Sequence, residues 1–196
     1  LIMVREITDD DFVVLATADG IAIRFSCRDV RNMGRGATGV KGIALRHGDT
    51  VVACLVLKED SPAIMTISAL GFGKRTNVDL YRVQSRGGKG IINFKVTSKT
   101  GPVVGAMPVR DNDGLIMLTS ANKVVRIGVE DVRSKGRATM GVMLVRLDEG
   151  AHPVAVRARV VAQRPADGLA DEELRVLLVD LDDIGEQVEV RVGLVL

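Results

Sequence analysis

Tryptophan is absent from the 196 residues, and the remaining aromatics are one tyrosine and four phenylalanines. A chain this poor in flat side chains has little with which to stack unpaired bases, which argues against a single-strand or RNA reader built on aromatic platforms. Cysteine occurs twice, as Cys27 and Cys54, with no C-x-x-C pair. That is too few for a disulfide scaffold, and with no signal-like N-terminus both are expected to be small buried hydrophobes in a reducing cytoplasm. No apolar run approaches the roughly 20 residues of a membrane helix; stretches such as Val51 to Leu57 are among the longest, so a soluble protein with no membrane partner is expected. A heptad and a G-X-Y period are both missing, which excludes coiled coil and collagen. The chain opens on Leu1 rather than Met and reads as a piece of a longer protein.

What is present begins with 46% hydrophobic residues, enough to bury a core and offset backbone entropy. The formal net charge of +2 hides a split. Residues 163–196 hold nine acidic and three basic residues, a net −6, so residues 1–162 carry +8. A basic body with an acidic end is the asymmetry of a polyanion binder.

A period of 51 residues organises the body. Gly20, Arg24, Val30, Arg31, Arg35, Gly39 and Val40 recur as Gly71, Arg75, Tyr81, Arg82, Arg86, Gly90 and Ile91. They recur again as Asn122, Arg126, Val132, Arg133, Arg137, Gly141 and Val142. The copies span about 11–60, 61–110 and 111–161; residues 1–10 correspond to the last strand of a preceding copy, and 162–196 form an acidic tail. Within each copy, apolar residues alternate or run in short blocks between turn residues. In the first copy these are Phe12 to Thr17, then Ile21, Ile23 and Phe25, then Ile43 and Leu45, then Val51 to Leu57. Asp19-Gly20 is a hairpin signal, with Leu70-Gly71 and Ala121-Asn122 at the same place in the other copies. The expected fold is all-β: a propeller-like stack of four-stranded antiparallel blades, about three blades and a strand, hence an incomplete ring. The tail alternates at 188–192, while 170–181 fits a short amphipathic helix equally well.

Strand alternation puts Ile21, Ile23 and Phe25 on one face and Arg24 on the other, and Arg75 and Arg126 inherit that position. Arg31 and Arg35, with Arg82, Arg86, Arg133 and Arg137, complete three rows of arginine across adjacent copies. Lys41, Lys74 and Lys89, with Arg46, Lys95 and Arg146, lie near the same loops. Arginine's planar fork holds phosphate bidentately, and a periodic positive stripe suits a phosphate backbone. The competing reading pairs the Arg31 row with Asp29, Asp79, Asp131 or Glu130 to stitch the copies together. No recognition helix is evident, so the expected partner is duplex DNA held with little sequence preference.

Other motifs fail on context. Gly34 to Gly39 matches G-x-G-x-x-G, but Val40 to Leu45 alternates as a strand where a dinucleotide site needs a helix. Gly88-Lys89 is followed by Gly90 rather than Ser or Thr, so it is no P-loop. His47 and His152 lie outside any ligand spacing and read as surface residues. Tyr81 stands where Val30 and Val132 occur, which favours packing over nucleophilic chemistry. No catalytic or metal constellation is found, and no cofactor is expected in this chain.

The runs Gly71-Phe72-Gly73-Lys74-Arg75-Thr76, Tyr81-Arg82 and Gln84-Ser85-Arg86-Gly87-Gly88-Lys89-Gly90 resemble the C-terminal domain of DNA gyrase A. That family's seven-residue box is Q-R-R-G-G-K-G, and six letters match, with Ser85 replacing an arginine. Residues 33–43 and 136–142 are similar too. The resemblance implies a β-pinwheel of six blades wrapping duplex DNA around a basic rim. In the intact bacterial type IIA topoisomerase this contributes to ATP-dependent negative supercoiling with gyrase B and the gyrase A core, in the cytoplasm near the nucleoid. ATP, magnesium and the breakage tyrosine would belong to other regions. Two other readings remain: the corresponding part of topoisomerase IV, and a propeller-type protein scaffold, for which the W-D signature is missing.

Overall fold

The computed structural model describes residues 7–31, 39–58, 61–119 and 124–147, and the backbone of two short strands at 159–162 and 191–192. Among these residues the regular elements are strands, apart from the 3-10 turns Cys27–Asp29 and Val78–Leu80. The first copy contributes β1 (Phe12–Thr17), β2 (Ile21–Ser26), β3 (Val40–Lys41) and β4 (Val51–Leu57). The second contributes β5 (Ala63–Ser68), β6 (Phe72–Asn77), β7 (Ile91–Ile92) and β8 (Val103–Val109). The third contributes β9 (Asp113–Leu118), β10 (Val124–Gly128), β11 (Val142–Met143) and β12 (Arg159–Ala162), and β13 (Arg191–Val192) lies in the tail. No helix among the described residues is long and apolar enough to cross a membrane.

The sheets do not coincide with the copies. Their orders are β4-β1-β2-β7, β8-β5-β6-β11, β12-β9-β10 and β3-β13, so the fourth strand of each four-stranded sheet is donated by the following copy. Ile21 and Ala22 pair with Ile92 and Ile91, and Phe72 and Gly73 pair with Met143 and Val142, the same register 51 residues on. The third strand of each copy falls earlier than the alternation at Ile43 and Leu45 indicates. Val40–Lys41 forms it, while Ile43 is buried and Leu45 half-buried just beyond. Arg191–Val192 pairs with β3 in the position that β2 or β6 takes toward β7 or β11. Residues 170–181, for which a helix is one reading, the first six residues of the strand expected within 1–10, and the turn Ala121-Asn122 lie outside the described residues.

Period-two patterning explains the stacking. On β1, Val13 and Leu15 join one core cluster and Val14 and Ala16 the next, all at most 3% exposed. On β5, Ile64 faces the cluster shared with the first copy, whereas Met65 and Ile67 face the one shared with the third. A central strand apolar on both faces is stable only between two layers, each buried Val, Leu or Ile contributing about 1.5–3 kcal/mol.

The turn glycines have two tasks. Gly20 and Gly71 each close a turn whose N–H reaches the carbonyl three residues back, and both have φ of 79°. Their carbonyls also accept the N–H groups of Asn93 and Phe94, and of Leu144 and Val145, where the next copy's chain leaves its donated strand. A Cβ on Gly71 would lie 2.3 Å from the Val145 carbonyl oxygen, which is backbone and cannot swing away. Gly71→Ala is therefore expected to cost at least about 2 kcal/mol, from left-handed strain plus displacement of the docked chain. Chemical denaturation measures it; an unchanged midpoint would show that the following copy docks independently of this turn.

Candidate nucleic-acid interface

The arginine rows divide into those that join copies and those that do not. In the first row, Arg24 is half-buried, its guanidinium 4.3 Å from the Phe12 ring centroid, with Nη1 donating to the carbonyls of Val78 and Tyr81 at 3.4 and 3.3 Å. Burial lowers its pKa, opposed by the charge of Asp79. Arg75, also half-buried, pairs through Nη1 with Asp111 of the next copy. Both therefore act between copies rather than pointing outward. Arg126 is exposed.

A second joining row is Arg86 and Arg137. Arg86 donates Nε to the Asp29 carbonyl at 2.8 Å and Nη1 to the Lys41 carbonyl at 3.4 Å; Arg137 donates Nη1 to the Ile92 carbonyl at 2.8 Å. Lys41 and Ile92 are equivalent positions, so the contact repeats with the period. Each arginine thus ties its loop to the strand edge of the preceding sheet while keeping part of its fork for other partners. Arg35, their counterpart in the first copy, lies outside the described residues. Alanine at Arg86 and Arg137 together is expected to lower stability by about 1–3 kcal/mol in total, with any loss of duplex binding accompanied by that thermal shift. A binding loss at constant melting temperature would mean the bonds to the preceding copy carry no weight.

The row Arg31, Arg82, Arg133 is different. All three side chains are exposed, and among the described residues none forms an ion pair or hydrogen bond. Asp29, Asp79 and Asp131 do not capture them, so stitching falls to the other two rows. Lys41 and Lys89 are likewise exposed and uncommitted among the described residues, as are Arg46, Lys95 and Arg146.

Lys74 departs from the expectation of a rim cation. Its side chain is fully buried, with Nζ donating to the carbonyls of Gly136, at 2.6 Å, and Arg137, lying 3.4 Å from Thr139 Oγ1 and 5.7 Å from the Phe94 ring. The register carries this information: Lys74 stands where Ile23 and Val125 stand, on the face that packs beneath the next copy's loop. Burial, reinforced by the Arg137 charge, pulls its pKa down to about 7. Lys74 therefore props the loop bearing Arg137 and does not face solvent.

Tyr81 is packed, as its register with Val30 and Val132 indicates. Its hydroxyl donates to Asn93 Oδ1 at 2.5 Å, Asn93 Nδ2 reaches Thr66 Oγ1 at 3.2 Å, and burial pushes the phenol up to about 12. Phe25, Phe72 and Phe94 are also buried, and Phe12 lies beneath Arg24. Cys27 is buried, its thiol raised to about 11 chiefly by burial, and Cys54 is half-buried; no disulfide joins them. Among the described residues no group of three or more His, Cys, Asp or Glu side chains is placed to hold a metal ion.

Four-stranded antiparallel sheets stacked in series, completed by strand exchange and bordered by a repeating row of exposed arginine, define a propeller-type repeat domain with a basic edge. The family model described as DNA gyrase C-terminal domain, beta-propeller, matches residues 11–58, 63–110 and 115–158, and the chain belongs to that family. The DNA gyrase A protein of Lawsonia intracellularis is 66% identical over 174 residues, covering 88% of this chain and 20% of the relative. The DNA gyrase A protein of Escherichia coli K12 is 41% identical over 174 residues, 89% of this chain and 19% of the relative. This chain thus spans about a fifth of the length of these relatives. A solved DNA gyrase A C-terminal domain matches with TM-score 0.68 and 32% identity, covering 73% of this chain and 49% of that one. The C-terminal domain of a DNA topoisomerase IV matches with TM-score 0.71 at 22% identity, 78% of this chain and 47% of that one, a likeness of fold alone.

Proposed function

We propose that this chain grips duplex DNA through its phosphates and bends it along the basic edge. Within a longer gyrase A protein it would contribute DNA wrapping to ATP-dependent negative supercoiling. Gyrase B and the gyrase A core are the protein partners of this reading, which assigns ATP and magnesium to parts outside this chain and places the assembly in the bacterial cytoplasm. The observation that carries it is the exposed, uncommitted row Arg31, Arg82, Arg133, held in register by sheets that share strands. Exposed guanidinium groups at regular intervals contact a backbone whose charge is itself regular, and they do so without reading bases. Gyrase A relatives at 66% and 41% identity favour this over the topoisomerase IV reading, where the likeness is of fold alone.

Bending a 20–30 base-pair site by 40–90° costs about 1–6 kcal/mol, so several contacts must engage together. With Arg31, Lys41, Arg82, Lys89, Arg126 and Arg133 on phosphates, the log–log dependence of duplex affinity on salt is expected to have a slope of about −5. Fluorescence anisotropy on two unrelated duplexes across a salt series tests it. Equal affinity with a steep slope supports the reading; a slope near −1, or strong preference for one sequence, overturns it.

A further inference from the structure

An open groove runs along β7 where the first and second copies meet. Ile21, Leu45, Ile91 and Ile92 line it together with Arg46 and Lys89. No carboxylate lines it, and among the described residues neither cation forms a hydrogen bond or ion pair. Ile92 is 49% exposed although it lies in a strand, and Met143, at the same position one copy on, is exposed to the same extent. The first copy has exposed Lys41 there, its carbonyl held by Arg86 as that of Ile92 is held by Arg137. Uncommitted cations alone would serve a diffuse charge attraction, which leaves the apolar residues that share the groove with them unexplained. A sugar–phosphate backbone presents the complementary pair of surfaces, an apolar deoxyribose face beside charged phosphates.

We propose that this groove seats one deoxyribose of the bound duplex, with Ile92 against the sugar and Arg46 and Lys89 on the phosphates that flank it. The inference rests on the duplex-binding function above and makes one contact of the path discrete. Met143 occupies the corresponding place at the next junction, where Thr97 and Met140 stand at the positions of Arg46 and Lys89 and a cation, Lys95, stands at that of Ala44.

Salt-dependent duplex binding by four versions of this chain tests it: wild type, Ile92→Ser, Ile92→Lys, and the double variant Arg46→Ala with Lys89→Ala. The double variant is expected to make the slope shallower by about 1.8. Ile92→Ser is expected to lose about fivefold in affinity with the slope unchanged, because it removes apolar contact and no charge. Ile92→Lys, which copies Lys41, recovers affinity with a slope steeper by about 1. In the wild-type complex, hydroxyl-radical cleavage, which samples deoxyribose hydrogens, is expected to show a protected sugar that becomes reactive in Ile92→Ser. If wild type binds steeply while the serine and double variants match it, the groove is not on the path and the duplex reading stands. Should wild type itself lack salt-dependent binding, both fall. Binding of wild type to phosphatidylglycerol vesicles that is lost in the double variant, with duplex binding intact, would assign the groove to a lipid surface and overturn the proposal.

Discussion

Replacing Arg31, Arg82 and Arg133 together by alanine is expected to lower duplex affinity by about two to three orders of magnitude near 0.1 M salt and to leave the melting temperature where it was. Each phosphate contact contributes about 0.9 to the salt slope, so losing three flattens it by about 2.7, equivalent at 0.1 M to a factor of about 500. The loss should be the same on unrelated sequences, since backbone contacts carry no base information. Stability is spared because these side chains are exposed and bond to nothing among the described residues. Arg24, Arg75, Arg86 and Arg137 offer the contrast, because their guanidinium groups are bonded to the neighbouring copy. An equal slope in the triple variant, or a collapse in its thermal midpoint, would reassign this row to structure.

Lys74 should produce the largest stability effect. Lys74→Ala removes three buried methylenes and the amine and leaves the carbonyls of Gly136 and Arg137 without their donor, at a cost of about 2–4 kcal/mol. The sign of its pH dependence follows from the depressed pKa. In the unfolded chain the amine holds its proton up to about pH 10.4, whereas in the folded chain it releases it near 7. Between those values the unfolded state binds more protons, so stability rises with pH. The neutral amine still offers two N–H groups, which matches the two carbonyls above it. Measured against Lys74→Met, the wild-type chain is expected to gain stability steadily from pH 7 to pH 10 and to show no relative change below pH 6. Parallel profiles for the two chains would show that Lys74 stays charged in the fold.

The strands and their period are legible in the sequence because alternation and turn glycines are local signals, and three copies repeat them. Which strand joins which sheet is not. Val40–Lys41, Ile91–Ile92 and Val142–Met143 are two-residue strands, too short for alternation to register, and the partners of the last two lie about 70 residues upstream. The positions of the arginine rows are legible too, yet their division is not. Arg24 and Arg31 look alike in sequence; only the stacking shows that one lies over Phe12 beneath the next copy and the other projects free. Lys74 is misread as a rim cation when its charge is weighed ahead of its register with Ile23, although that register places it under a loop.

Strand donation also bears on how such a chain can change in length. Because β7 completes the first sheet and β11 the second in the same register, the joint between neighbours is identical wherever it falls. A duplication or deletion of one whole period leaves each remaining four-stranded sheet complete, whichever residue it starts from. Loss of half a period orphans an edge in two sheets at once. The second copy is longer than the first by one residue between its third and fourth strands, in a connection that turns at Gly101, where φ is 68°. In genetic terms the domain can gain or lose repeats in any reading phase, and a unit with no privileged beginning is the kind that unequal recombination can multiply without first finding a boundary.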